Sequence, residues 1–190
     1  MSAVLIGLIV VLGVILLIVG LWAMGTYNRL VRIKQHLKDS WSSVDVELKR
    51  RYDLIPNLVE TVKGYASHEK ETLENVIRAR NVAAANDGPP SSQAKDESAL
   101  IGAMRQLSVV VEQYPELKAD TSFLELQGEI AETEDRIASS RRLYNGNARD
   151  MNTAVESFPS MIIAGVFKFQ GADYFEIEDA AAREAPKVSF

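Results

Sequence analysis

The sequence has 190 residues, a formal net charge of −5 at pH 7 and no cysteine. An acidic chain argues against nucleic acid as the main partner. The absence of cysteine excludes a thiol nucleophile and fits a reducing compartment. Outside one apolar segment, the chain is long enough for one domain of ordinary size.

The N-terminal segment has the composition of a membrane span. Residues 1–28 carry no charged side chain, and residues 3–24 form an unbroken apolar run of 22 residues. A helix of that length rises roughly 33 Å, which is enough to cross the hydrocarbon core of a bilayer. A cleaved signal peptide would need a basic start and a shorter apolar core, and a buried core helix would keep a polar face. We therefore predict a short N-terminus and transmembrane anchor over residues 1–26, with residues 3–24 contacting the lipid bilayer.

The residues that flank the span predict its orientation. Four basic residues follow it closely: Arg29, Arg32, Lys34 and Lys38. Because basic flanks stay in the cytoplasm, we expect the N-terminus outside and the body of the protein in the cytoplasm.

Two glycines in the span lie on one helical face. At about 100° of rotation per residue, Gly13 and Gly20 point in nearly the same direction from the helix axis. Small residues let transmembrane helices approach closely. They are candidates for self-association of the span, although glycine is also common in such helices generally.

The next segments predict two helices joined by a corner. Apolar residues recur with spacings of three and four over residues 27–52, which favours a nearly straight helix. Pro56 disfavours helical geometry at Ile55, so we expect a corner at residues 52–57 and a second helix over residues 56–85. A single kinked helix is the alternative. The polar stretch at residues 86–94 is predicted to be a loop.

The remaining segments predict two more helices and a tail. A third helix over residues 95–113 ends at Tyr114 and Pro115. A fourth over about residues 121–157 begins with a capping box formed by Ser122 and Glu125. Four amphipathic helices with short connections predict an all-α fold, in which an antiparallel four-helix bundle of long helices follows the transmembrane helix. The tail, residues 159–190, is irregular and partly apolar, and we expect it near the membrane-proximal end. Its segment 161–169 either folds back over the base of the bundle or makes an interfacial membrane contact.

The sequence shows little sign of catalytic chemistry. The two histidines, His36 and His68, do not form a zinc motif. Carboxylates cluster at residues 129–135 but lie mostly off the apolar stripe, which favours a solvated face over a metal site. The basic run at residues 49–51 suits a helix C-terminus or a contact with an acidic partner. We therefore predict no catalytic residue, no cofactor and no metal site.

The residues resemble those of a known family. The resemblance is carried by residues 27–31, Trp41, the block VDVELKRRYDLIPNLVE at residues 44–60, VKGYA at 62–66 and HE at 68–69. Later pieces agree, at residues 114–119, 126–127, 133–138, 141–145, 157–159 and 186–190. Together they resemble the LemA family of bacterial membrane proteins. The resemblance implies a bacterial inner-membrane protein with an N-terminal anchor, a bundle of long helices and no established enzymatic activity. Gly146 departs from the family pattern and marks a weak point or a contact that needs a small residue.

These patterns favour a membrane-anchored helical scaffold or adaptor, possible homo-oligomers and an unidentified membrane or cytoplasmic protein partner. In an antiparallel bundle the two corners share the membrane-distal end, so we predict a partner-contact surface there. Its candidate residues are Tyr52, Asp53, Pro56, Asn57, Tyr114 and Pro115. An oligomeric membrane-shaping protein is the alternative function, and a carboxylate-based metalloenzyme is a remote one.

Overall fold

The structure, a computed structural model, describes residues 2–177, and this part of the chain contains helices and no strand. The helices are α1 (Ser2–Tyr65), α2 (Lys70–Ala85), α3 (Pro90–Val111), α4 (Pro115–Lys118), α5 (Thr121–Glu156) and α6 (Ser160–Val166). The predicted all-helical class is confirmed for these residues. The tail predicted to be irregular over residues 159–190 contains the helix α6, so that prediction is wrong for Ser160–Val166. Residues 178–190 of the tail lie outside the described part.

Helix α1 is longer than predicted, and the corner expected at residues 52–57 is wrong. The helix passes through Pro56 and ends only at Tyr65. A proline inside a helix leaves the carbonyl four residues earlier without its usual partner. Here that carbonyl belongs to Tyr52, and it accepts a hydrogen bond of 2.9 Å from Arg80 Nε of α2. The side chains of Ile55 and Leu58, on either side of Pro56, are buried. Tertiary packing and this replacement bond therefore keep the segment helical.

The apolar run and the first soluble helix belong to one element. Helix α1 continues through Gly20 and Gly25, although glycine lowers helix stability by about 1 kcal/mol relative to alanine. None of the residues in its most apolar stretch is buried, and the stretch is long and apolar enough to cross a membrane. The prediction of one long apolar N-terminal helix is confirmed.

Two connections differ in detail from the prediction. The loop between α2 and α3 is shorter than residues 86–94, because α3 already begins at Pro90. Asn86 orders this loop: its Oδ1 accepts the Gly88 N–H at 2.8 Å, and its Nδ2 donates to Asp96 at 2.5 Å. Helix α5 is capped by Asp120, whose Oδ1 accepts the Phe123 N–H at 2.9 Å. The capping box predicted two residues later, with Ser122 and Glu125, is therefore not the cap.

The chain divides into two compact units, each built from separated stretches of sequence. Unit one comprises Met1–Ser40 and Gly146–Ala172, and unit two comprises Trp41–Asn145 with the described residues from Asp173 onward. Unit one has a small apolar core of Leu30, Ala154, Ile163 and Ala164. Unit two has the larger core, whose buried side chains include Val44, Leu48, Ile55, Val62, Val76, Leu100, Leu107, Leu117, Phe123 and Ile137.

Candidate functional site

Unit two contains a buried ionic cluster that joins three helices. Arg51 of α1 forms an ion pair with Glu97 of α3, and both side chains are only 1% exposed. Arg51 Nη1 also donates to Glu134 Oε1 of α5 at 2.7 Å, and the Tyr52 hydroxyl donates to Glu97 Oε1. We call these four residues the Arg51 cluster. Charged side chains are rarely buried completely unless they are paired, so this cluster is the most unusual polar feature of the unit.

The electrostatics of the Arg51 cluster fit a structural role. A guanidinium is always charged and presents a planar set of donors to carboxylates, so Arg51 supplies the cation between Glu97 and Glu134. Burial is the largest cause that raises the pKa of the Tyr52 hydroxyl, which keeps that hydroxyl protonated and able to donate. Within residues 2–177 no group of three or more His, Cys, Asp or Glu side chains is arranged to hold a metal ion. The cluster can therefore fix how α1, α3 and α5 register against one another.

A second polar contact joins α2 to α1. Arg80 Nε donates to the Tyr52 carbonyl, and Arg80 Nη2 lies 3.8 Å from Asp53 Oδ1. The first bond satisfies the carbonyl that Pro56 leaves open. Arg80 therefore supports α1 at the one position where its own backbone cannot.

Asparagine side chains hold the non-helical segment that follows α6. In unit two, Asn145 Oδ1 accepts the Phe175 N–H at 2.9 Å, and its Nδ2 donates to the Phe175 carbonyl at 3.1 Å. In unit one, Asn152 makes the same two bonds to Ala172, at 2.7 and 3.0 Å. A primary amide offers one acceptor and two donors, so each side chain satisfies both backbone polar groups of one residue.

Each unit contains a group of aromatic rings in contact with one another. In unit two the Trp41 ring lies 5.0 Å from the Tyr144 ring and 5.4 Å from the Phe175 ring. In unit one the Tyr27 ring lies 4.7 Å from the Phe167 ring and 5.8 Å from the Phe169 ring. Tyr27 follows the apolar run by three residues, so the second aromatic group lies where the predicted span ends.

Part of the predicted contact surface is buried or lies within a helix, and its role in binding a partner stays a prediction. Tyr52 is buried in the Arg51 cluster, which removes it from any surface, and Pro56 lies inside α1. The turn that follows α1 takes the place of the predicted corner, because the Tyr65 hydroxyl donates to Asp120 at 2.9 Å. Of the remaining predicted residues, Tyr114 is half-buried, while Asp53, Asn57 and Pro115 are exposed.

The predicted membrane-flank and span residues all lie on α1. Arg29, Arg32, Lys34 and Lys38 are exposed, and Lys34 Nζ is 6.0 Å from the centre of the Phe169 ring. At Gly13 and Gly20 an added Cβ would meet no atom within 4 Å. Their roles in orientation and self-association stay predictions.

The Arg51 cluster was missed by the sequence analysis, although the sequence holds a signal for it. Arg51 follows Leu48 by three residues and precedes Ile55 by four, which places it on the apolar stripe of α1. Glu97 precedes Leu100 by three residues and shares the stripe of α3 in the same way. An arginine on the apolar stripe of one helix and a glutamate on that of another together indicate a buried ion pair.

Comparisons with known proteins support the resemblance. A sequence model described as LemA family matches residues 40–190. Protein LemA of Metamycoplasma hominis is 27% identical over 86% of this chain and 73% of its own length. Magnetosome protein MamQ 2 of Paramagnetospirillum magneticum is 27% identical, and magnetosome protein MamQ of Magnetospirillum gryphiswaldense is 26% identical. Each of these matches covers 81% of this chain and 66% of the relative, so the chain spans about two thirds of the magnetosome relatives. Because the family match extends over most of the sequence, the chain belongs to the LemA family.

Proposed function

We propose that this protein is a membrane-anchored helical scaffold or adaptor that acts at the bacterial inner membrane through protein contacts or self-assembly, and that it is not an enzyme. One observation carries the proposal: α1 is continuous from an exposed apolar segment to residues that bind other helices. The same helix therefore provides the membrane anchor and the residues around which unit two assembles.

The helices of unit two support an antiparallel four-helix bundle as its architecture. Along α1 and α5, contacts join Trp41 to Tyr144, Arg51 to Glu134 and Tyr65 to Asp120. The residue number rises on α1 while it falls on α5, so the two helices run in opposite directions. A bundle of this kind presents long, charged helix faces to partners and needs no pocket.

The basic flank supports a cytoplasmic location for the helical body. The four flank residues begin five residues after Met24, and positively charged flanks remain on the cytoplasmic side. Protease treatment of intact spheroplasts tests this orientation. The helical body is expected to stay protected until the inner membrane is opened, and its digestion before opening would contradict the assignment.

Self-assembly through the span is tested by two variants and a control variant. Gly13→Ile and Gly20→Ile place bulk on one helical face, whereas Gly7→Ile places it on another face of the same span. All three positions are open in the structure. The protein is purified in mild detergent and the mass of the particle is measured. We expect an oligomer that Gly13→Ile and Gly20→Ile weaken and that Gly7→Ile leaves intact. A monomer at high concentration would contradict self-assembly, and vesicle deformation by the purified oligomer would favour the membrane-shaping alternative.

Contacts with a different protein are tested by crosslinking in native membranes. Photoreactive residues at Asn57 and Pro115 probe the exposed part of the predicted surface, and one at the exposed Leu143 serves as the control position. Mass spectrometry of the products identifies the partner. We expect one dominant product from Asn57 or Pro115 that is absent at Leu143, and equal, diffuse products at all three positions would contradict an adaptor surface there.

A further inference from the structure

Helix α6 and the residues around it expose an apolar surface in unit one. The side chains of Phe158, Met161, Ile162, Val166 and Phe167 are between 49% and 79% exposed. Contiguous apolar surface on a soluble domain marks a site of interaction with protein or membrane. We call this surface the α6 face.

The α6 face is the outer side of an amphipathic helix. Ile163 and Ala164 are buried against Leu30 of α1 and Ala154 of α5. At about 100° per residue, Met161, Ile162 and Val166 fall within one sector of roughly 140° that excludes the two buried positions. The inner side holds α6 in place, and the outer side faces solvent.

Packing places the α6 face at the level where the apolar run of α1 ends. Ala23, which belongs to that run, packs against the core that contains Ile163 and Ala164. Phe158 and Ser160 line the same cleft as Trp22. Tyr27, whose ring contacts Phe167, lies about 4.5 Å beyond Met24 along the helix. The headgroup layer on each side of a bilayer is roughly 5–8 Å thick, so the α6 face lies within its reach.

The surrounding residues favour lipid as the occupant. Trp22 and Tyr27 are of the two types enriched at membrane interfaces. Lys34 lies beside Phe169, Lys168 follows α6, and Arg29 lines the cleft together with the acidic Asp150. A cationic surround attracts anionic headgroups while apolar side chains enter the interface.

From this arrangement we propose that the α6 face binds the bilayer surface beside the anchor as a second, interfacial membrane contact. The proposal rests on the membrane anchorage proposed above and adds a site outside residues 3–24. It implies that unit one is held to the bilayer at two places, by the anchor and by α6.

The absence of cysteine from the natural sequence makes a clean test possible. Ile162→Cys and Val166→Cys are each labelled with an environment-sensitive fluorophore in the full chain. The chain is reconstituted into phosphatidylcholine–phosphatidylglycerol vesicles that contain a lipid with a spin label near its headgroup. His36→Cys is the control, because His36 is exposed on α1 and lies about 18 Å beyond Met24 along the helix.

We expect the spin-labelled lipid to quench the fluorophore at Ile162 and Val166 at least about twofold more than at His36, as an interfacial position requires. Equal quenching at all three positions would overturn the proposal. Protection from aqueous iodide without quenching by lipid would also overturn it, because a second protein would then cover the α6 face. Flotation separates the two proposals: a chain that floats with vesicles but shows no quenching refutes only the α6 contact, whereas a chain that does not float refutes the anchorage and the contact together.

Discussion

Removal of Glu97 should destabilise unit two strongly. Glu97 is fully buried and forms an ion pair with the buried Arg51. Removing one partner of a buried ion pair typically costs about 3–5 kcal/mol, because the remaining charge stays buried without compensation. In Glu97→Ala, Arg51 retains Glu134, so we expect the lower end, about 3 kcal/mol. That loss corresponds to a fall in melting temperature of roughly 6–12 °C for a protein of this size.

Glu134→Ala is the matched control for this prediction. It removes one carboxylate partner of the Arg51 guanidinium, as Glu97→Ala does, but the Glu134 side chain is 41% exposed. Water can replace it, so we expect a loss of only about 0.5–1 kcal/mol. The triple variant Arg51→Met, Glu97→Leu and Tyr52→Phe removes both buried charges and the hydroxyl that donates to Glu97. It should be close to the parent in stability, as buried pairs replaced by apolar residues often are. The buried Arg51 Nε has no hydrogen-bond partner within residues 2–177. Replacing Arg51 by an apolar residue removes this unpaired donor, which supports the expectation.

Tryptophan fluorescence gives an assay that is specific to unit two. The chain has two tryptophans, and Trp41 packs against Tyr144 and Phe175. In a Trp22→Phe background, Trp41 is the sole reporter, and urea unfolding in detergent gives the free energy of unfolding. The reasoning fails if Glu97→Ala costs less than about 1 kcal/mol, or if Glu134→Ala costs as much as Glu97→Ala.

Three further outcomes are expected. Arg80→Ala should lower the free energy of unfolding by about 1–3 kcal/mol because the Tyr52 carbonyl loses its hydrogen-bond donor. In a Pro56→Ala background the restored backbone N–H of residue 56 should bond that carbonyl and reduce the loss. An unchanged loss in this double-mutant cycle would contradict the role assigned to Arg80. Burial, with the Asp173 charge as a smaller cause, raises the pKa of Tyr144 to about 12, so the stabilisation by its protonated form is complete below the ordinary tyrosine pKa of about 10 and is lost as the pH rises through 12. Ultraviolet difference titration against Tyr144→Phe should show a tyrosinate with that high midpoint, and a midpoint near 10 would refute it. Gly146→Ala should stabilise the protein by about 0.5–1 kcal/mol in urea unfolding followed by circular dichroism of the helices, since its Cβ would meet no atom within 4 Å; a loss of stability would point to a contact that needs glycine.

The features that the sequence predicted well are those carried by local patterns. The apolar run at residues 3–24 and the three-and-four spacing after Tyr27 depend only on residues close in sequence, so helix and span follow from periodicity. The end of α1 could not follow in this way. Pro56 disfavours helix locally, and the bond that compensates for it comes from Arg80, which lies on another helix and 28 residues away from Tyr52.

The candidate site was harder to predict because burial is a tertiary property. The basic run at residues 49–51 looks uniform in sequence, yet Lys49 is exposed and pairs with Asp45 at 2.6 Å, whereas Arg51 is buried. The position of each residue relative to Leu48 and Ile55 separates the two, because only Arg51 shares their helical face. A basic run on an amphipathic helix should therefore be divided by face before a partner is assigned to it.

Asparagines of α5 explain how the non-helical segment after α6 satisfies its backbone. Backbone polar groups of a segment without helical or strand partners need hydrogen bonds from elsewhere, and Asn145 and Asn152 provide them to Phe175 and Ala172. The two asparagines are seven residues apart, which returns them to nearly the same face of the helix, about 10.5 Å apart along it. Half-buried asparagines on a long helix therefore predict a non-helical partner segment, a signal that apolar periodicity alone does not contain.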